Sequence, residues 1–191
     1  MARRVVLFCE DSAHESFETA IVGRLAREVG VDVSIQVGSS RAGIPRLKQE
    51  LTAFARVLRR SSGLPDLLVI LIDANAAGER ARRDEIEGAI DIGGFPHVVV
   101  GVPDPHVECW YLADPVSFAE AFGPQPAPPG EADCKRRLVE ALENADEIVT
   151  AGGAEFAEDI VNAMDLFRAG RAVASLKRFG DELTAALRSL A

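Results

Sequence analysis

The stretch Asp66 to Ile72 (DLLVILI) constrains this chain more than any other. After its opening acid every side chain is apolar, whereas a strand with one wet face would alternate polar and apolar residues. An unbroken apolar run of strand length is expected of a central parallel strand covered on both faces. Such a strand needs helical crossovers to reach its neighbours, and the chain supplies them. Arg4 to Cys9 (RVVLFC) reads as a first strand, closed by Glu10 and Asp11. Ser16 to Val29 then carries Phe17, Ile21, Leu25 and Val29 at helical spacing. Val31 to Val37 alternates as a half-exposed second strand. Pro45 opens a helix to about Arg60, with Ile44, Leu47, Leu51, Phe54 and Leu58 along one side and Arg46, Lys48, Arg56, Arg59 and Arg60 along the other. After the central run come a charged helix, Glu79 to Ile90, and a fourth strand, His97 to Val102, followed by Val107 to Leu112 (VECWYL) as a helical segment. The β-α-β-α order predicts an α/β fold, a doubly wound sheet of about four mainly parallel strands with right-handed crossovers.

The chain's 191 residues suit one substantial core. We expect an α/β core over residues 1–122, a Pro-rich break over 123–130 (GPQPAPPG), and a helical extension over 131–191 packed on the same domain. Helices are expected at Cys134 to Asn144, Phe156 to Ala169 and Leu176 to Leu190. No apolar run reaches membrane-spanning length and the N-terminus lacks a signal-peptide core, which predicts a cytoplasmic protein that does not insert in membranes. Cys9, Cys109 and Cys134 are odd in number and lack CxxC spacing, so they are expected to be reduced, the first two buried.

In open parallel sheets the loops at the carboxyl ends of the strands meet along one edge, so acids ending different strands become neighbours. Glu10 ends the first strand and Asp73 the third; Glu108 follows the fourth. Carboxylates so gathered suit Mg²⁺ or Mn²⁺, hard cations that bind oxygen and bridge to phosphates. His14 and Glu15 are candidate proton acceptors or outer ligands, although the first turn of a helix commonly holds such residues for capping alone. Asp11 has the same two readings. His97 is expected to be structural, His106 is open, and Trp110 reads as a core anchor. Neither GxxxxGKS/T nor GxGxxG occurs, which excludes a P-loop nucleotide hydrolase, and no GxSxG elbow supports a serine hydrolase.

The net charge of −9 argues against a generally positive nucleic-acid-coating surface. The distribution is uneven: residues 1–60 hold ten Lys or Arg against seven Asp or Glu, and residues 61–130 hold three against eleven. The acid is concentrated around the candidate metal residues.

The segments FCEDSAHESF, LLVILIDAN, VPDPHVECWYLADP and SLKRFGDEL, in that order, resemble the Toprim fold shared by topoisomerases, primases and the overcoming-lysogenization-defect nucleases. They look most like the small stand-alone bacterial Toprim-like proteins often encoded beside an ATPase of the ABC or AAA type. The resemblance implies that Glu10 matches the Toprim glutamate, Asp73 the first acid of the Asp-x-Asp pair, and Glu108 the acid of the last motif. Asn75 stands where the family pattern has the second Asp, which implies weaker metal binding or a single ion. Lys177 is implied as a phosphate-facing cation. The expected function is a Mg²⁺- or Mn²⁺-dependent nuclease, or the nuclease subunit of an ATPase-coupled complex such as those of anti-phage defence, acting on DNA before RNA. Two alternatives stand beside it: a non-catalytic Toprim-shaped interaction subunit, for which Asn75 speaks, and a receiver-like domain with Asp73 as phosphoacceptor.

Overall fold

The computed structural model describes residues 1–39, 44–60, 63–90, 94–126 and 133–191, the side chains of residues 39 and 44–48 excepted. Residues 127–130 of the Pro-rich stretch lie outside the described residues, as do the side chains of Ile44, Arg46, Leu47 and Lys48. The sheet has four strands, all parallel: β1 (Arg3–Cys9), β2 (Val33–Ser39), β3 (Leu67–Leu71) and β4 (Val98–Gly101), in the order β2-β1-β3-β4. The apolar run that suggests a central strand is β3, buried along its whole length between β1 and β4.

Between the strands lie α1 (Ser12–Val29), α2 (Ile44–Arg60) and α3 (Glu79–Ala89). Alternation along the strands sends side chains to two cores. Val5, Leu7, Leu67, Val69 and Leu71 face α1, while Val6, Phe8, Leu68 and Ile70 face Leu51 and Leu58 of α2 and Ile86 of α3. The fold is therefore the expected doubly wound α/β sheet. Arg56, Arg59 and Arg60 are exposed on α2.

After β4 come α4 (Glu108–Tyr111), α5 (Pro115–Phe122), α6 (Cys134–Glu143), α7 (Ala157–Ala163), α8 (Leu166–Ala172) and α9 (Ala174–Ser189). These helices share the first core: Leu176, Phe179, Leu183 and Leu187 of α9 are buried with Phe17, Val69, Leu71 and Trp110. At Gly101 a Cβ would lie 2.5 Å from Leu71 Cδ1 and 2.8 Å from Phe179 Cδ2, so the missing side chain lets α9 close on the sheet. The single helix expected over Phe156 to Ala169 is two. Asp165 caps α8 by accepting from the amides of Phe167 and Arg168, and its own N–H donates to Asp114 Oδ2 at 2.8 Å. That local capping outweighs the apolar spacing that would carry one helix through.

A second difference concerns the cysteines. Cys109 of α4 and Cys134 of α6 form a disulfide, and only Cys9 is free and buried. Spacing cannot reveal this pair, because the packing of α4 against α6 brings together residues 25 apart. The expectation of three reduced cysteines is therefore corrected for this pair. Among the described residues no helix is long and apolar enough to cross a membrane.

Candidate metal centre

Glu10 and Asp73 meet because their strands are hydrogen-bonded neighbours. Cys9 of β1 is in register with Leu71 of β3, and both chains leave the sheet at the same edge. The Asp73 amide donates to Glu10 Oε2 at 3.3 Å. Asp73 is only 3% exposed, and its carboxylate is held from three sides. Oδ1 lies 2.8 Å from His14 Nε2 and accepts from the Val107 amide at 2.8 Å; Oδ2 lies 2.9 Å from His106 Nδ1.

His14 arrives through the start of α1. Asp11 caps that helix, its Oδ1 accepting from the Ala13 and His14 amides, and the same oxygen lies 2.7 Å from His14 Nδ1. With a carboxylate at each ring nitrogen, the imidazole is held as a two-donor cation. Its complete burial alone would lower its pKa, but the hydrogen bonds to Asp11 and Asp73 and their charges raise it to about 10. For Asp11, burial acts upward and is overcome by the hydrogen bond and charge of His14, which hold it below the usual carboxylate range. Burial pushes Glu10 upward, and the positive His14 offsets that only in part. Tyr111 donates its hydroxyl to the Ala13 carbonyl at 2.8 Å, pinning α4 to the first turn of α1.

Glu10, His14 and Asp73 each offer one ligand atom, and these atoms lie within 4.8 Å of one another. The group can hold a metal ion. One imidazole and two carboxylates fit a divalent cation of borderline character, with the imidazole proton displaced on binding.

Glu108 lies outside this group, and His14 takes the place expected for it. The cause is its setting on α4, where its carboxyl is buried at 5% exposure, Oε1 stands 3.6 Å from Lys135 Nζ, and Oε2 is buried with no hydrogen-bond partner among the described residues. Desolvation raises the Glu108 pKa. Asn75 has a left-handed backbone, φ 50°, and its Nδ2 donates to the Asp73 carbonyl at 3.4 Å. It lines a cavity of about 330 Å³ with Ala76, Pro105, His106, Asp133 and Lys135.

Two other candidates fall elsewhere. Glu15, one residue past His14, lines a groove between α1 and α7 together with Ser16, Thr19 and Glu158. Lys177 is exposed on α9 and pairs with Asp181. It lies two residues from both Ser175, which accepts from Trp110 Nε1, and Phe179, which packs on Trp110. Two residues are about 200° of helical turn, so Lys177 is on the side of α9 away from Trp110 and the nearby Glu108.

Trp110 is fully buried, as expected of an anchor. His97 lies just before β4, its Nε2 3.4 Å from Ser189 Oγ. Sequence reasoning left His106 open and missed Lys135. A signal for His106 was its position two residues before Glu108; for Lys135 there was none, because its partner is 27 positions away in the chain. No family model, curated protein or solved structure matches this chain, so the chemistry of the centre rests on its own residues.

Proposed function

We propose that the chain is a metal-dependent phosphodiester hydrolase of Toprim type, its ion held by Glu10, His14 and Asp73. The grouping of these three ligand atoms within 4.8 Å at the carboxyl edge of a parallel sheet carries this reading. Manganese suits the set better than magnesium, because an imidazole joins the carboxylates and Mg²⁺ strongly prefers oxygen. When bound, the cation supplies Lewis-acid polarisation of a phosphoryl oxygen and a more acidic water.

The protein's own residues orient the centre. Asp11 fixes the ring of His14 through Nδ1 and leaves Nε2 for the ion, an outer carboxylate of the kind that commonly orients metal-bound histidines. Val107 and His106 hold Asp73 in place. The substrate class is nucleic acid, DNA before RNA. At a net charge of −9 the chain attracts little polyanion by itself, which favours an ATPase partner as the source of most of the affinity.

A second reading is favoured by one observation. Every oxygen of Asp73 already has a protein donor, so the chain Asp11, His14, Asp73, His106 is satisfied without metal, as a purely structural network would be. On that reading the protein is a non-catalytic Toprim-shaped interaction subunit. The receiver-like reading has less support, since a phosphoacceptor needs a free carboxylate oxygen. Cleavage of single- and double-stranded DNA with Mn²⁺, Mg²⁺ and chelator separates the first two. The hydrolase cleaves with Mn²⁺ and loses this in Asp73→Ala; cleavage undiminished in that variant sinks the assignment.

A further inference from the structure

We propose that Lys135 is the phosphate-contacting cation of this centre, with the substrate's oxyanion seated in the cavity that Lys135 shares with His106 and Asn75. The inference rests on the metal-centre reading and adds the residue that binds the other half of the substrate.

The cavity adjoins the centre through His106, which lines it and also holds Asp73 Oδ2. About 330 Å³ accommodates a phosphodiester group with part of its sugar. Lys135 Nζ is 3.6 Å from Glu108 Oε1, its one ion pair among the described residues, so an ammonium with three donors has capacity left for a ligand. Its side chain is 55% exposed. Glu108, buried beside it, anchors the ammonium without itself lining the cavity. The His106 ring, bonded at Nδ1, makes no hydrogen bond at Nε2 among the described residues.

The backbone explains why this lysine is in place although its sequence context gives no hint. Glu108 and Lys135 are the immediate neighbours of the bonded Cys109 and Cys134. The disulfide therefore fixes the start of α6 against α4 and sets the ammonium at the cavity wall. Lys177, on the far side of α9, has no comparable position.

Charge dictates how binding must behave. Asp133 lines the cavity and Glu108 and Asp73 stand close by, so an oxyanion is repelled unless a divalent cation occupies Glu10, His14 and Asp73. Inorganic phosphate should bind the Mn²⁺-loaded protein and not the chelated one.

The test combines a Mn²⁺ titration followed by electron paramagnetic resonance with the ³¹P relaxation of inorganic phosphate on the same samples. In the wild type, bound Mn²⁺ shortens phosphate relaxation. Lys135→Ala weakens phosphate by about tenfold or more, as expected for loss of a charge-assisted contact, with Mn²⁺ binding retained and thermal unfolding still cooperative, although at a lower midpoint because buried Glu108 loses its ion-pair partner. Lys135→Arg restores phosphate binding to within a few-fold. Equal phosphate binding by wild type and Lys135→Ala, or no phosphate binding by the Mn²⁺-loaded wild type, overturns the proposal. If Mn²⁺ does not bind at all, the metal-centre reading fails and this proposal falls with it, whereas Mn²⁺ binding without Lys135-dependent phosphate binding overturns this proposal alone.

Discussion

Asp73 and His14 are each costly to bury and are tolerable only together. His14 places a donor against a carboxylate at both ring nitrogens, and removing it leaves Asp73 buried with a lost partner. His14→Ala should destabilise the metal-free protein by about 3 kcal/mol, measured as a shift in urea unfolding with unchanged m-value. The pH dependence has a definite sign. The folded pKa of His14 stands at about 10 against an ordinary 6.5, so its stabilising contribution is whole below about pH 6.5 and is lost as pH rises through about 10. Urea unfolding of wild type and His14→Gln between pH 7 and 10.5 should therefore converge as pH rises. A gap that stays constant across that range contradicts the cationic assignment. At this scale the sequence was partly legible. Glu10 and Asp73 announce themselves as acids ending apolar strands. His14 was visible only as a helix-start residue, because its role depends on Asp73 lying 59 positions later. Glu108 starts a short helix after β4, where its carboxyl pairs with Lys135 instead of joining the three-atom group, a partner 27 positions away that no local pattern displays.

At the level of elements, the strands and their succession along the chain follow from apolar runs and their spacing, since period and length are local properties, whereas their order in the sheet, β2-β1-β3-β4, is not local. Nor is the pairing of α4 with α6, or the Cys109–Cys134 bond it creates. That bond closes a loop with a sequence separation of 25. Chain-entropy arguments give such a cross-link ~3 kcal/mol of stability. Cys109→Ser with Cys134→Ser should accordingly lower the midpoint of urea unfolding under non-reducing conditions. An unchanged midpoint would mean that α6 is fixed by packing alone. Asp114 shows a related limit on sequence reading. It caps α5 through the Ser117 amide and reaches across to Arg168 of α8 at 2.9 and 3.0 Å, a junction that no local pattern displays.

Over the whole molecule, the C-terminal helices complete the fold that presents the centre. Leu176, Phe179, Leu183 and Leu187 are buried against sheet and α1 residues. Burying four such side chains is worth roughly 6–12 kcal/mol, comparable with the roughly 5–15 kcal/mol that holds an ordinary domain together. A chain ending at Val173 should lose cooperative unfolding in circular dichroism; a cooperative transition near the full-length midpoint would show the extension to be dispensable. The centre is tied to that packing through α4, with Tyr111 joining α4 to α1 and Trp110 joining α4 to α9. The central claim is that Glu10, His14 and Asp73 form one metal site, and Mn²⁺ binding followed by electron paramagnetic resonance tests it directly. The predicted result is one ion per wild-type chain, with affinity rising with pH as His14 gives up its proton, and binding lost in both His14→Ala and Asp73→Ala while Glu108→Gln retains it. Equal binding by wild type and Asp73→Ala, or loss in Glu108→Gln alone, would contradict it.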